Sequence, residues 1–277
     1  LGPEGTYAEK ASLELVKLED LKETEFVPCQ GIHSVIENVA NKNCNYAVIP
    51  IENSVEGGVT TSLDALWSHP ELFIKRALVL PIQHSLIGTG SINEISEVLS
   101  HPQALAQCSI WLNNHLPNVL QLPTSSTAEA VRMISGSNFR GAIGPRPRKE
   151  IKGIKELAFP INDVAGNCTR FVLLKGKEDL IFNSQEGNIT SIAFSLYKNE
   201  PGALLEVLES IAKLGLNMSR IESRPSKREL GEYVFFVDVE HQDYGSKNDT
   251  QLINLLKPLC ERLVHFGLYN SHEIQEI

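Results

Sequence analysis

The sequence predicts an α/β protein built as two modules, and three observations predict it. Up to Leu174, apolar runs of strand length alternate with segments of helical spacing. The alternation stops at GKEDLIFNSQEGN, residues 176–188, a polar stretch rich in Gly and Asn that reads as a linker. Beyond it the order becomes strand–helix–strand–strand–helix–strand, a ferredoxin-like βαββαβ unit. A chain of 277 residues is also too long for one ordinary core. The expected division is a first module over 1–176 in two lobes, the second lobe at about 77–155, then a linker over 177–187 and a second module over 188–277.

The elements follow from local signals. Thr6 with Glu9 three residues on is a capping box opening a helix through about Leu18. Glu25–Gln30 reads as a strand, and Ile32, Val35, Ile36, Val39 and Ala40 form a helical stripe. Tyr46–Ile51 is an apolar strand, so the segment reads as a βαβ unit with parallel strands covered on both faces. After Trp67, strands are expected over Ala77–Gly88 (one or two), Ile95–Ser100, Val119–Leu122, Gly141–Gly144 and Thr169–Leu174. Pro102 opens a helix carrying Leu105, Cys108, Leu112 and Leu116, and Ser126 with Glu129 caps another to about Ile134. In the second module the strands are Ile189–Tyr197, Leu216–Arg224, Glu232–Glu240 and Val264–Tyr269. Its helices are Pro201–Leu214 and about Thr250–Leu263, the latter kinked or interrupted at Pro258.

Bulk properties exclude several functions. The charge of −9 and pI near 5.4 argue against general nucleic-acid binding, and mean that an anionic ligand needs a locally positive pocket. No apolar run is long enough to span a membrane and no leader pattern is present. Five cysteines without CxxC spacing fit a reducing cytoplasm and give no disulfide or zinc framework. HExxH, GxGxxG and Walker patterns are missing, so neither a metal nor a cofactor is expected. The chain opens at Leu1 without an initiator Met, which leads to the expectation that residues precede it.

Polar residues gather where the strands are expected to end. PIENSVEGG, residues 50–58, follows an apolar strand with Glu52, Asn53, Ser54, Glu56 and two glycines. In doubly wound folds ligands sit beyond the carboxyl ends of strands, at helix N-termini. Thr6, Ser100, the Gln103/Gln107 pair, Thr124–Thr127, Thr169 and Arg170 are expected there too. Neutral donors, helix N-termini and an arginine suit a small ligand bearing carboxylates. Each group also has a plain reading. Thr6 and Ser126 are caps, the glutamines an exposed helix face, Glu52 and Asn53 turn chemistry, and Arg146, Arg148 and Lys149 a solvated loop.

GPEGTYAE, AVIPIENSVEGGV, SHPQALAQC, STAEA and CTRF, in that order, resemble prephenate dehydratases, and PGALLEVL with NMSRIESRP resembles the ACT domain that follows in that family. The resemblance spans essentially the whole chain. It implies a two-lobed catalytic module similar to periplasmic binding proteins, with prephenate in the interlobe cleft and no cofactor. By motif position it implies Thr169, Glu52, Asn53, Ser100 and Gln107 as catalytic, and Thr6, Ser126, Thr127 and Arg170 as substrate-binding. It implies a feedback site for L-phenylalanine at Gly202, Ala203, Leu204, Leu205, Asn217, Glu222, Ser223 and Arg224, in a homodimer or homotetramer. The motifs do not separate prephenate from arogenate, and a non-catalytic amino-acid sensor is the alternative of another class. Two departures stand out: only Leu1 remains of the apolar strand that usually precedes LGPEGT, and GAIGPRPRKEI is unusual for the family.

Overall fold

The structure is a computed structural model that describes residues 1–147, 153–177, 186–198, 200–242 and 246–275. The chain begins with α1 (Tyr7–Leu18), α2 (Ile32–Ala40), β1 (Ala47–Asn53), β2 (Gly57–Gly58), α3 (Thr60–Ser68) and β3 (Leu72–Pro81). It then crosses into a second lobe made of β4 (Ser85–Gly88), β5 (Glu97–Ser100), α4 (Pro102–Ala106), α5 (Ser109–His115), β6 (Leu120–Pro123), α6 (Thr127–Met133), β7 (Arg140–Gly144) and β8 (Lys155–Ala158). It returns through β9 (Cys168–Gly176). The C-terminal unit follows as β10 (Ile189–Leu196), α7 (Ala203–Lys213), β11 (Asn217–Pro225), β12 (Tyr233–Glu240), α8 (Ser246–Leu256) and β13 (Cys260–Glu273).

The strands form two sheets. The second lobe holds a five-stranded sheet in the order β6-β5-β7-β4-β8, and the rest join in an eight-stranded sheet, β11-β12-β10-β13-β3-β9-β1-β2. The C-terminal unit contributes the βαββαβ order and spans half of the larger sheet. Its last strand makes the junction: residues 260–269 of β13 pair with β10, and Asn270–Glu273 run parallel to Arg76–Val79 of β3. Near the crossing a bulge at Phe266, next to Gly267 at φ 121°, bends the strand.

Cores form on both faces of each sheet. α1 covers one face of the first lobe through Ala8, Ala11 and Leu15, packed on Val48, Leu78, Leu80, Phe171 and Leu173. The opposite face packs α2 and α3 in one cluster with Val234, Phe236, Val264 and Phe266 of the C-terminal unit. The outer face of that unit carries α7 and α8 over Ile192, Phe194, Val237 and Val239. The C-terminal sheet is therefore buried between its own helices and the catalytic module. None of the described helices is long and apolar enough to cross a membrane.

Several expectations need correction. Glu25–Gln30 is not a strand; it runs as irregular chain with Phe26 and Val27 exposed, because no strand among the described residues lies alongside it to pair with. The expected parallel βαβ unit therefore lacks its first strand, and β1 pairs antiparallel with β2 and with the returning β9 instead. The helix from Pro102 breaks at Gln107–Cys108, where Asp163 accepts from the backbone N–H of Ile110 and Trp111 and so caps a new helix. The last helix stops at Leu256, ahead of Pro258. α3, β2 and β8 carried no clear sequence signal. Residues 178–185 of the linker, with Arg148 and Lys149, lie outside the described residues.

Candidate active site

A one-residue bulge sets the geometry of the site. Along β9, Phe171 and Leu173 face α1, whereas Val172 and Leu174 face the C-terminal unit. Alternation then turns Thr169 to the α1 side and Arg170 to the other. Along β1, Ala47 and Ile49 lie on the C-terminal side and would carry Asn53 with them. The register slips instead: Pro50 opposes Phe171, Glu52 opposes Arg170, and Ile51 is the extra residue. Asn53 is thereby turned to face its cross-strand partner Thr169, and Glu52 faces Arg170.

Asn53 is the hub. Its amide nitrogen donates to Thr169 Oγ1 at 2.9 Å and to Asn167 Oδ1 at 2.9 Å, with Cys168 O at 3.1 Å. Its Oδ1 accepts from the backbone N–H of Val55 and Glu56, an Asx turn that shapes the start of the PIENSVEGG loop. Because Thr169 accepts from Asn53, its own hydroxyl hydrogen is free, and no described residue accepts it. Ser54 brackets the same place by exchanging hydrogen bonds with the backbone of Cys168.

The network continues across the lobes. Asn167 donates to Gln107 Oε1 at 3.0 Å, and Gln107 Nε2 donates to Glu56 Oε1 at 2.8 Å. The carboxylate can only accept, so it fixes the Gln107 amide with its oxygen toward Asn167 and His84. His84 Nε2 lies 3.0 Å from that oxygen and must donate, leaving Nδ1 to face the Tyr7 hydroxyl at 3.3 Å. Burial holds the His84 imidazole below its ordinary pKa, opposed by the Gln107 bond, and burial pushes the Tyr7 phenol up. Burial thus disfavours the charged form of the ring. His84 and Asn167 sit on the two strands of chain that cross between lobes, themselves tied by Ile82 N–H to Asn167 O and Ile161 N–H to His84 O.

The remaining sequence candidates divide. Ser100 is fully buried and donates to Ile143 O at 2.7 Å, so it fixes the end of β5. Thr6 and Ser126 are N-caps, accepting from the backbone of Glu9 and Glu129 respectively. The two helix starts face each other, since a Cβ on Gly5 would lie 3.7 Å from Ala128 Cβ. Thr127 is the first residue of α6 and borders Gly144. A cavity of about 750 Å³ opens beside the network, lined by Glu56, His101, Gln103, Gln107 and Asn167. Another, of about 770 Å³, lies apart from it at the N-terminal edge, against Phe26 and Val27. Arg170 does not enter the network around Thr169; its Nη1 is 3.0 Å from Asp238 in the C-terminal unit and 3.5 Å from Glu52.

The residues of the expected effector site fall on two faces. Gly202, at φ 94°, caps α7; Ala203 and Leu204 are half-buried and Leu205 is exposed. Asn217 is exposed and donates to Glu240. Glu222 and Arg224 turn toward the catalytic module. The Glu222 carboxylate occupies the space a side chain on Gly58 would need, and Arg224 pairs with Asp64 of α3 at 3.2 Å. Ser223 lies between them on the opposite face. Tyr7, His84 and Asn167 escaped the sequence reading. Tyr7 and Asn167 adjoin motif residues, but His84 carries no local signal.

Comparison with known proteins agrees with this architecture. The prephenate dehydratase family model matches residues 1–179 and the ACT domain model residues 190–246. The chain is 36% identical to a prephenate dehydratase of Methanocaldococcus jannaschii, over 98% of this chain and 96% of that protein. The crystal structure of a prephenate dehydratase from Arthrobacter aurescens in complex with L-Phe superposes with a TM-score of 0.85 at 32% identity, covering 98% of this chain and 88% of that one. That of the Staphylococcus aureus enzyme gives 0.78 at 29% identity, covering 98% of both chains. The chain belongs to the prephenate dehydratase family, with an ACT domain following its catalytic module.

Proposed function

We propose that the interlobe cleft converts prephenate to phenylpyruvate, water and CO2, with Thr169 as the residue at the leaving group. The observation that carries this is the direction of one hydrogen bond. Asn53 donates to Thr169, so the threonine hydroxyl is set up as a donor. In the reaction the ring C–O bond breaks and the departing hydroxide takes up one proton from solvent to become water, while the bond to the ring carboxyl breaks to release CO2 and its bonding pair restores aromaticity. Negative charge grows on the departing oxygen, and a fixed donor there stabilises the transition state more than the ground state. Asn53, Asn167, Gln107 and His84 hold that donor in place. Thr6, Ser126 and Thr127 bring two helix N-termini to the cleft, where backbone N–H groups favour carboxylates. Glu52 serves the frame, since it pairs with Arg170 at 3.5 Å. Ser100 supports the second lobe.

L-Phenylalanine acts as feedback effector at the C-terminal domain. The start of α7 and Ser223 on β11 are its contacts, and Glu222 and Arg224 report to the catalytic module. The assembly is a homodimer joined along β11, an edge strand whose Ile221 is exposed. The five free cysteines fit a cytoplasmic setting. Incubation with prephenate, followed by the absorbance of phenylpyruvate, tests the reaction; arogenate in parallel, with phenylalanine as product, tests the substrate. A folded chain that converts neither refutes the proposal.

A further inference from the structure

We infer that Asp238, in the C-terminal domain, is a positioning residue for the reaction, acting through Arg170 to keep Asn53 and Thr169 aimed into the cleft. Asp238 is fully buried on the face of β12 that packs against the catalytic module, in line with Val234 and Phe236. Its carboxylate takes Arg170 Nη1 at 3.0 Å, Arg220 Nε at 2.7 Å and Nη2 at 3.3 Å, and Ser191 Oγ at 2.5 Å. Ser191 is in turn 2.7 Å from the Tyr269 hydroxyl. A buried carboxylate so fully bonded has one available geometry, and Arg170 inherits it.

The place where this tie lands matters. Asn53 and Thr169 are the last pair of the β1–β9 ladder, and Glu52 and Arg170 are the pair before them. Ladder ends fray, and this one follows the bulge that turns Asn53 to the cleft. Arg170 anchors the end twice, to Glu52 across the ladder at 3.5 Å and to Asp238 outside it. Arg220 adds a second guanidinium whose Nη1 lies 3.8 Å from Glu222, and Glu222 lies against Gly58, the cross-strand partner of Glu52. The β11 strand of the regulatory domain thus touches the loop that carries Asn53.

This inference rests on the proposed reaction, and turnover of prephenate by the unaltered chain separates the two. The test is the kcat of Asp238→Asn in the full chain, alone and in a Thr169→Val background. A misplacement of an ångström costs about 100-fold, so Asp238→Asn alone should lose roughly 10- to 100-fold in kcat. In the Thr169→Val background it should lose nothing further, because no hydroxyl remains to be positioned. A general loss of folded enzyme would multiply through in both backgrounds. Equal losses in the two backgrounds, or an unchanged kcat in the single variant, overturn the inference. If Asp238→Asn does not fold, Arg170→Lys takes its place, since a lysine cannot span Asp238 and Glu52 together. The same two outcomes then decide.

Discussion

Replacing Asn53 by aspartate tests the direction of the central hydrogen bond. The change is nearly isosteric, and the Oδ1 that accepts from Val55 and Glu56 N–H stays in place. The nitrogen that donates to Thr169 at 2.9 Å becomes an acceptor. Thr169 then has a carboxylate within reach and turns its proton away from the cleft toward it. The expected result is the loss of one transition-state donor, about 100- to 1,000-fold in kcat, or roughly 3–4 kcal/mol. A stability cost comes with it. The new oxygen stands 2.9 Å from Asn167 Oδ1 and 3.1 Å from Cys168 O, with no donor between them. Such unsatisfied contacts cost about 1–3 kcal/mol. Steady-state phenylpyruvate formation at saturating prephenate gives the first number and urea unfolding the second. An Asn53→Asp enzyme with unchanged kcat refutes the argument that Asn53 sets the polarity of Thr169.

Other outcomes follow from the same geometry. Gly58→Ala drives the Glu222 carboxylate off the loop, and a several-fold change in the phenylalanine concentration giving half-inhibition is expected; an unchanged inhibition curve removes that contact from the signal path. Burial lowers the His84 pKa below its unfolded value of 6.5, so the unfolded chain holds more protons just below that pH. Stability contributed by His84 is full above 6.5 and declines as pH falls below it, and His84→Gln should flatten this limb in thermal melts. Against burial, Arg224 and Lys227 hold the Asp64 carboxyl below its ordinary 3.8. Its contribution is present above 3.8 and lost as pH falls, and Asp64→Asn should cost no more than about 1 kcal/mol in urea unfolding at neutral pH.

The parts of this molecule written in local pattern could be read from the sequence. The βαββαβ order of the C-terminal unit, the caps at Thr6 and Ser126, and the strand leading into PIENSVEGG each depend on a few neighbouring residues. Asn53, Thr169 and Gln107 could be nominated from motifs, and the structure links them through Asn167. What could not be read depends on distant pairing. Glu25–Gln30 has strand composition but pairs with no strand among the described residues, and β9 becomes antiparallel only because the chain returns from the second lobe. The same holds for Arg170. The side-chain period along β9 turns it to the face opposite Thr169, but only the docking of β12 supplies Asp238 to receive it. His84 joins the site because two crossing segments lie side by side, which no local spacing reveals.

The central claim is that the free hydroxyl hydrogen of Thr169 stabilises the departing oxygen of prephenate. Thr169→Val keeps the shape of the side chain and deletes the hydroxyl, while Thr169→Ser keeps the hydroxyl. Comparing their kcat for prephenate is the most direct measurement. The account predicts a loss of about 100-fold or more for valine, with KM little changed, and substantial activity for serine. Turnover by Thr169→Val at the rate of the unaltered enzyme would contradict it.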